Sequence, residues 1–172
     1  MKTMILIPAL APGAELIDYL QALSDAQLGQ LVVVDDGSGP DYAPIFALAA
    51  QIPGCTVLRH EQNRGKGDAL KTGLRYFQEL PDRSEYNGVV TADADGQHSV
   101  ADVTALCRAM RDETGLWLGV RDFSLEQVPL RSKLGNKITR SFMKLASGVG
   151  VTDTQTGLRA IARKHLPLMC SI

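Results

Sequence analysis

Short apolar runs alternate with amphipathic stretches along the whole chain. The runs are rich in Val, Ile and Leu, as strands buried on both faces are, and they predict strands over residues 4–10, 30–39, 55–60, 87–95 and 115–120. Helical periodicity between them predicts helices over 13–25, 41–52, 66–80 and 99–112, with Pro44 in the first turn of the second. Residues 158–172 begin another strand-and-helix pattern. This alternation predicts an α/β fold with helices on both faces of a mostly parallel sheet.

Three polar clusters directly follow predicted strands. They read DDGSG after the second strand, EQNRGKG after the third and DADGQH after the fourth. Parallel strands present their carboxyl ends at one rim of the sheet, which is where ligands bind in such folds. The order of the clusters therefore predicts one ligand site built from three loops.

Asp93 and Asp95 are the strongest candidates for chemistry on that rim. They are two residues apart on an extended segment, so we expect their side chains to point to the same side, and two adjacent carboxylates either share a proton or bind a cation. Hard divalent ions such as Mg2+ and Mn2+ prefer oxygen ligands, and Gln97 could add a neutral one. The structural alternative is that the acids cap the helix expected to start at Ser99. His98 is either a base or ligand, or a solvated rim residue.

The other two clusters suit a nucleotide. One carboxylate of Asp35 and Asp36 could accept hydrogen bonds from a nucleoside while the other holds the loop, and an Asx-type turn is the structural alternative for each. Gly65 and Gly67 flank Lys66 just before a helix, where backbone amides, the helix dipole and the ammonium suit a phosphate. The spacing of a P-loop is missing, and no G-x-G-x-x-G follows the first strand.

Nucleotide, diphosphate and divalent metal together are what a sugar transferase needs to stabilise a departing nucleoside diphosphate. Two other enzyme classes fit less well. A sugar nucleotidyltransferase usually carries a Gly-rich basic loop after its first strand, and a phosphatase of the haloacid type needs its aspartates there. A domain that binds nucleotide without turnover stays open.

The motifs VVVDDGSG, NRGKGDAL and TADADGQH resemble, in order and spacing, those of the family 2 glycosyltransferases with the GT-A fold. Within that family the chain looks most like the polyprenyl-phosphate branch typified by dolichyl-phosphate mannose synthase. The features of that branch appear here as DADGQH, GVR at 119–121 and DTQTGLR at 153–159. The chain departs from the family at PALAPGAE, which lacks the aromatic residue and the Asn of the usual P-x-Y-N-E, and at Val120, where Ser is common.

The resemblance implies roles for individual residues, as follows. The Mg2+ or Mn2+ ion would be held by Asp93, Asp95 and Gln97. The nucleoside would be held by Asp35 and Asp36 with the backbone of Pro8 and Ala9, and the nucleotide would also be contacted by Lys66 and Asp93. The catalytic residues would be Asp95, Arg121 and Arg131. The two arginines would neutralise the diphosphate or the phosphate of the acceptor.

The segment 129–150 suggests the acceptor. It contains five basic residues and no acidic one, and apolar residues recur in it at helical spacing. A basic amphipathic helix over about 129–147 would lie on an anionic membrane surface and present a lipid phosphate. The alternative is an ordinary surface helix packed on its own sheet.

The expected function is therefore a metal-dependent, inverting transfer of a hexose from a UDP- or GDP-sugar to a polyprenyl phosphate. A phosphate acceptor is already ionised at neutral pH and needs little help from a general base. Transfer to a saccharide hydroxyl, as in polysaccharide or cell-envelope synthesis, is the alternative, and it would require one.

Composition limits the remaining possibilities. The 172 residues suit one domain, here expected to be truncated at its C-terminus, where a membrane segment could follow in the intact protein. The net charge of −1 argues against a nucleic-acid partner. Three widely spaced cysteines indicate a reducing compartment, and the N-terminus lacks the features of a signal peptide. We expect a cytoplasmic protein, peripheral to or tethered at the inner face of the membrane.

Overall fold

The computed structural model describes residues 1–110, 116–118 and 157–167, which form one six-stranded sheet with four α-helices. The strands are β1 Lys2–Ala9, β2 Gly29–Asp35, β3 Cys55–Arg59, β4 Tyr86–Thr91, β5 Leu116–Leu118 and β6 Arg159–Ala162. The helices are α1 Glu15–Asp25, α2 Ala43–Ala49, α3 Lys66–Glu79 and α4 Val100–Ala109. Arg121, Arg131 and the basic segment 129–147 lie outside the described residues.

The sheet is mostly parallel, as predicted. Its strand order is β3-β2-β1-β4-β6-β5, and β1, β2, β3 and β4 all pair in parallel. β6 is antiparallel to both β4 and β5, so β5 runs in the same direction as β4. Five of the six strands therefore end at the same rim of the sheet, and β6 begins there.

Helices cover both faces of this sheet, which confirms the prediction. Because β1 is buried along nearly its whole length, alternate residues serve opposite faces: Ile5 and Ile7 pack towards α1, α2 and α4, whereas Met4 and Leu6 pack towards α3. The apolar residues of α1 fall at the spacing of one helix face, represented by Leu16, Leu20 and Leu23. The rim above this core is where the polar loops lie.

Two strands end earlier than the sequence pattern predicts. β2 stops at Asp35 because a turn follows, in which Gly37 has a φ of 73°. β4 stops at Thr91, and a turn that contains Gly96, with a φ of 69°, follows it. The prediction that Asp93 and Asp95 belong to an extended strand is therefore wrong, since the turn determines where both carboxylates point. Pro44 lies in the first turn of α2, as predicted, although a short 3-10 helix, Pro40–Tyr42, precedes it.

Candidate active site

A cleft of about 430 Å³ opens at the rim where β1, β2 and β4 end. Ten described residues line it, and they come from the three predicted loops and the end of β1: Pro8, Ala9, Leu10, Asp36, Asn63, Gly65, Lys66, Asp93, Ala94 and Asp95. The structure thus brings together seven of the candidate residues predicted from the sequence: Pro8, Ala9, Asp36, Gly65, Lys66, Asp93 and Asp95. Asp35 and Gln97 are not among the lining residues.

Asp36 holds the loop between β3 and α3. Its carboxylate accepts hydrogen bonds from the backbone N–H groups of Arg64 (2.9 Å) and Gly65 (2.8 Å) and contacts Nδ1 of His60 at 2.7 Å. Burial raises the pKa of Asp36, but the bonds from Arg64, His60 and Gly65 outweigh burial and leave that pKa below its usual value. The carboxylate is therefore an anion with three protein partners.

The same contacts link β2 to α3. His60 is buried, and its Nε2 lies 2.8 Å from Oγ1 of Thr72 on α3. Gly37 allows the two loops to touch, because a Cβ atom there would overlap the backbone of Gln62 and Asn63. We call this set, Asp36, His60, Thr72 and the backbone N–H groups of Arg64 and Gly65, the loop clamp.

Asp35 is also engaged within the protein. Its carboxylate is buried, accepts the backbone N–H of Ser38 at 2.9 Å and forms an ion pair with Nε of Arg59 at 3.1 Å. Both aspartates of the DDGSG motif thus hold loops in this structure. A direct contact of either with a nucleoside stays a prediction.

Asp93 is contacted on both of its carboxylate oxygens. One oxygen forms an ion pair with Nζ of Lys66, and the other lies 3.3 Å from Nε2 of His98. The hydrogen bond from His98 and the charge and hydrogen bond of Lys66 outweigh partial burial and lower the pKa of Asp93 to about 2. His98 is not the solvated rim residue that was one reading of the sequence, since only 12% of its side chain is exposed.

The chain segment entering β6 also packs on Asp93. Thr91 donates a hydrogen bond from Oγ1 to the backbone carbonyl of Gly157 at 2.8 Å. A methyl group on Gly157 would overlap the Asp93 carboxylate. Gly157 belongs to the late DTQTGLR motif, so that motif reaches the cleft through a residue without a side chain.

Asp95 is the exposed member of the pair. Its Oδ1 accepts the backbone N–H of Gln97 at 3.1 Å, which closes the turn. It does not cap α4, because Ser99 is the N-cap and accepts the N–H of Asp102 at 3.1 Å. The helix-capping alternative for Asp95 is therefore not observed, and this carboxylate lines the cleft.

The cleft and the turn beside it contain oxygen atoms of the type that hard divalent cations prefer. Asp93, Asp95 and Gln97 offer oxygen atoms within five residues of one turn, and the Lys66 ammonium already stands as a positive charge on Asp93. Within residues 1–110, 116–118 and 157–167, no group of three or more His, Cys, Asp or Glu side chains is arranged to hold a metal ion. A bound ion would thus depend on Gln97 and on oxygens from a ligand.

Comparison with known proteins identifies the family of this chain. Residues 5–166 match the profile of Glycosyl transferase family 2. The chain therefore belongs to glycosyltransferase family 2, which confirms the class of enzyme predicted from its motifs.

Three relatives illustrate the similarity. An uncharacterised protein of Methanocaldococcus jannaschii is 32% identical over 162 residues, covering 92% of this chain and 63% of that protein. UDP-N-acetylglucosamine–dolichyl-phosphate N-acetylglucosaminyltransferase of Methanococcus voltae is 28% identical, and the match covers 96% of this chain and 71% of that protein. Polyprenol monophosphomannose synthase of Mycolicibacterium smegmatis is 30% identical, and the match covers 79% of this chain and 52% of that protein. The last two names support the polyprenyl-phosphate branch, and the chain spans only part of each relative.

Solved structures confirm the fold. TarS of S. aureus in complex with UDP-GlcNAc superimposes with a TM-score of 0.51 at 20% identity, covering 77% of this chain and 38% of TarS. 4-Diphosphocytidyl-2C-methyl-D-erythritol synthase superimposes with a TM-score of 0.55 at 12% identity, covering 99% of this chain and 79% of the synthase. At these identities the likeness concerns architecture alone, and it confirms the predicted GT-A fold.

Several residues of the site were not predicted from the sequence. Leu10 and Asn63 line the cleft, and His60 and Gly157 position its carboxylates. His60 directly follows β3, so its place on the rim was open to prediction. The contact of Gly157 with Asp93 could not be predicted in this way, because it depends on how β6 pairs with β4.

Proposed function

We propose that this domain transfers a hexose from a UDP- or GDP-sugar to a polyprenyl phosphate, with inversion at the anomeric carbon. The observation that carries the proposal is the position of Lys66, Asp93 and Asp95 around one cleft in a family 2 chain. Two relatives named as transferases to dolichyl phosphate or as a polyprenol monophosphomannose synthase support the acceptor.

In this proposal Asp93, Asp95 and Gln97 hold Mg2+ or Mn2+. The ion supplies charge that stabilises the departing nucleoside diphosphate. The loop clamp fixes the backbone of residues 60–65 beside the nucleotide, and Lys66 contributes a positive charge to the phosphates. The backbone of Pro8 and Ala9 forms the wall against which the nucleoside packs.

The acceptor phosphate requires no proton removal. Of the cleft carboxylates, Asp36 and Asp93 are occupied by protein donors and have lowered pKa values, which makes them weak bases. An acceptor that is already anionic suits such a site better than a sugar hydroxyl. It attacks the anomeric carbon as the bond to the nucleoside diphosphate breaks.

Arg121 and Arg131 are proposed to neutralise the diphosphate or the acceptor phosphate. Both arginines lie outside the described residues. Their role rests on chemistry, because a guanidinium group is always charged and binds phosphate oxygens in a bidentate manner.

The membrane is the proposed working surface, with this domain on its cytoplasmic side. No helix in the described part of the chain is both long and apolar enough to cross a bilayer. The basic segment 129–147 is the proposed contact with anionic headgroups.

A transfer assay tests the function. The protein is incubated with UDP- and GDP-hexoses, a polyprenyl phosphate and Mn2+, and mass spectrometry detects the glycolipid. The expected result is a glycosyl phosphate lipid whose formation stops with EDTA. Transfer only to a saccharide hydroxyl, or nucleotide binding without any transfer, would contradict the proposal.

The variant Asp95→Ala tests the metal assignment. Because Asp95 is exposed and its only described contact is one backbone N–H, the fold should survive. We expect Mn2+-dependent nucleotide affinity to fall at least about tenfold, because loss of a residue that merely supports a metal ligand usually costs that much. Calorimetry with UDP and GDP measures it, and Asp41→Asn, at an exposed carboxylate outside the cleft, is the control. Equal affinity in Asp95→Ala and the wild type would refute the assignment.

A further inference from the structure

Lys66 and Asp93 form an ion pair inside the cleft. Lys66 is the first residue of α3, and its Nζ rests on Oδ1 of Asp93. Lys66 is 54% exposed and Asp93 29% exposed, and both line the cleft. Among the described residues that line the cleft, Lys66 is the only one with a basic side chain.

If the proposed function holds, each residue of this pair also binds a second group in the cleft. Asp93 is a proposed ligand of the divalent ion, and Lys66 is a proposed contact of the diphosphate. An ammonium group and a divalent cation on one carboxylate repel each other. The ion and the ammonium therefore compete for Asp93.

The two partners differ in their freedom to move. Asp93 has a short side chain that is fixed by the bond from His98 and packed against Gly157. Lys66 has a long, half-exposed side chain, and its only described contact in the cleft is Asp93. When the pair separates, Lys66 is the residue that moves.

We propose that Lys66 is an internal counter-cation for Asp93, and that it is exchanged for the metal when the diphosphate arrives. The diphosphate draws the ammonium away from Asp93, and the divalent ion takes its place on the carboxylate. This inference rests on the proposed function and adds to it a coupling: nucleoside diphosphate and metal bind cooperatively through one side chain.

Calorimetry measures this coupling directly. The affinity of UDP and of GDP is determined with EDTA and again with saturating Mn2+, and the ratio of the two dissociation constants is the coupling factor. In the wild type we expect a factor well above one. In Lys66→Met the metal no longer displaces anything, so we expect the factor to fall at least about fivefold, which is the lower end of usual coupling strengths.

Two further variants separate the exchange from simpler effects. Lys66→Arg keeps a charge that can pair with Asp93 and should retain most of the coupling. Arg75→Met removes a positive charge from the same helix at an exposed residue outside the cleft and should behave as the wild type. Uridine and guanosine, which have no diphosphate, should show a coupling factor near one in every variant.

The outcomes distinguish this inference from the proposed function. An unchanged coupling factor in Lys66→Met, with nucleotide affinity altered equally in the presence and absence of Mn2+, overturns the exchange and leaves the metal site standing. No effect of Mn2+ on the wild type overturns both the exchange and the metal assignment. Far-UV circular dichroism of each variant confirms that a lost factor does not come from unfolding.

Discussion

Asp93 shows how much of this site depends on single contacts. Its carboxylate touches a residue from α3, one from the following turn and one from the entry to β6, namely Lys66, His98 and Gly157. These residues are up to 91 positions apart in sequence, from 66 to 157. The carboxylate is held as an anion with both oxygens oriented, which is what a metal ligand requires.

Gly157→Ala tests whether the position of Asp93 matters. The added methyl group would overlap the carboxylate, which must then turn away and lose its contacts with Lys66 and His98. We expect Mn2+-dependent nucleotide affinity to fall about tenfold or more, the usual cost of disturbing a ligand's support. Calorimetry measures the affinity, and thermal unfolding shows whether the sheet is intact. Wild-type affinity in a folded variant would mean that the carboxylate tolerates the shift.

At this scale the sequence predicted the residue types well and their partners poorly. The D-x-D pair and Lys66 were found because charged residues after apolar strands stand out. Their ion pair was not predicted, since it depends on the direction of one lysine side chain. A loop-holding role for Asp35 or Asp36 was among the alternatives, but the bonds from Arg64 and Gly65 to Asp36 were not predicted. These donors are backbone N–H groups of a distant loop, which a sequence pattern does not identify.

The loop clamp is the main feature at the scale of elements. It joins the end of β2 to the 60–65 loop and, through His60 and Thr72, to α3. The loop that carries Lys66 into the cleft is therefore fixed by one buried carboxylate. Removal of the Asp36 charge should therefore both loosen this loop and lower the stability of the folded protein.

Asp36→Asn measures the strength of the clamp. The amide cannot accept the same three bonds, so we expect a loss of about 2 kcal/mol at pH 7, in the range for bonds to a buried charge. The pKa of Asp36 is below its ordinary 3.8 in the folded protein. Its contribution is therefore complete above about pH 4 and is lost as the pH falls through the folded pKa. The two urea unfolding curves should converge in acid, whereas Asp41→Asn should match the wild type throughout.

The sequence pattern predicted which elements form more accurately than where they end. The periodicity identified the strands and helices, but it extended β2 and β4 by four residues each, to 39 and 95 instead of 35 and 91. The reason is that glycines at 37 and 96 take positive φ values and form turns. Polar residues after a strand cannot by themselves show where its hydrogen bonding stops.

The whole molecule is expected to work at a membrane surface, and charge reversal tests this. Lys137 and Arg140 belong to the basic segment 129–147, outside the described residues. Lys137→Glu with Arg140→Glu should weaken adsorption to vesicles containing phosphatidylserine at least about tenfold, since each basic residue near such a surface contributes about 1 kcal/mol. Co-sedimentation measures the bound fraction. Arg75→Glu with Lys164→Glu makes the same charge change at exposed residues elsewhere and should bind normally; equal weakening in both would show that only net charge matters.

The place of β6 has a consequence for how the polypeptide matures. This strand lies between β4 and β5, and its last residue is Ala162. During synthesis on a ribosome, β4 and β5 must wait with unpaired edges until some forty later residues have emerged and β6 inserts. An open edge of that kind invites pairing with other nascent chains. Slow translation or a stop codon before residue 159 would therefore yield aggregation-prone fragments, with no completed sheet on which the cleft could form.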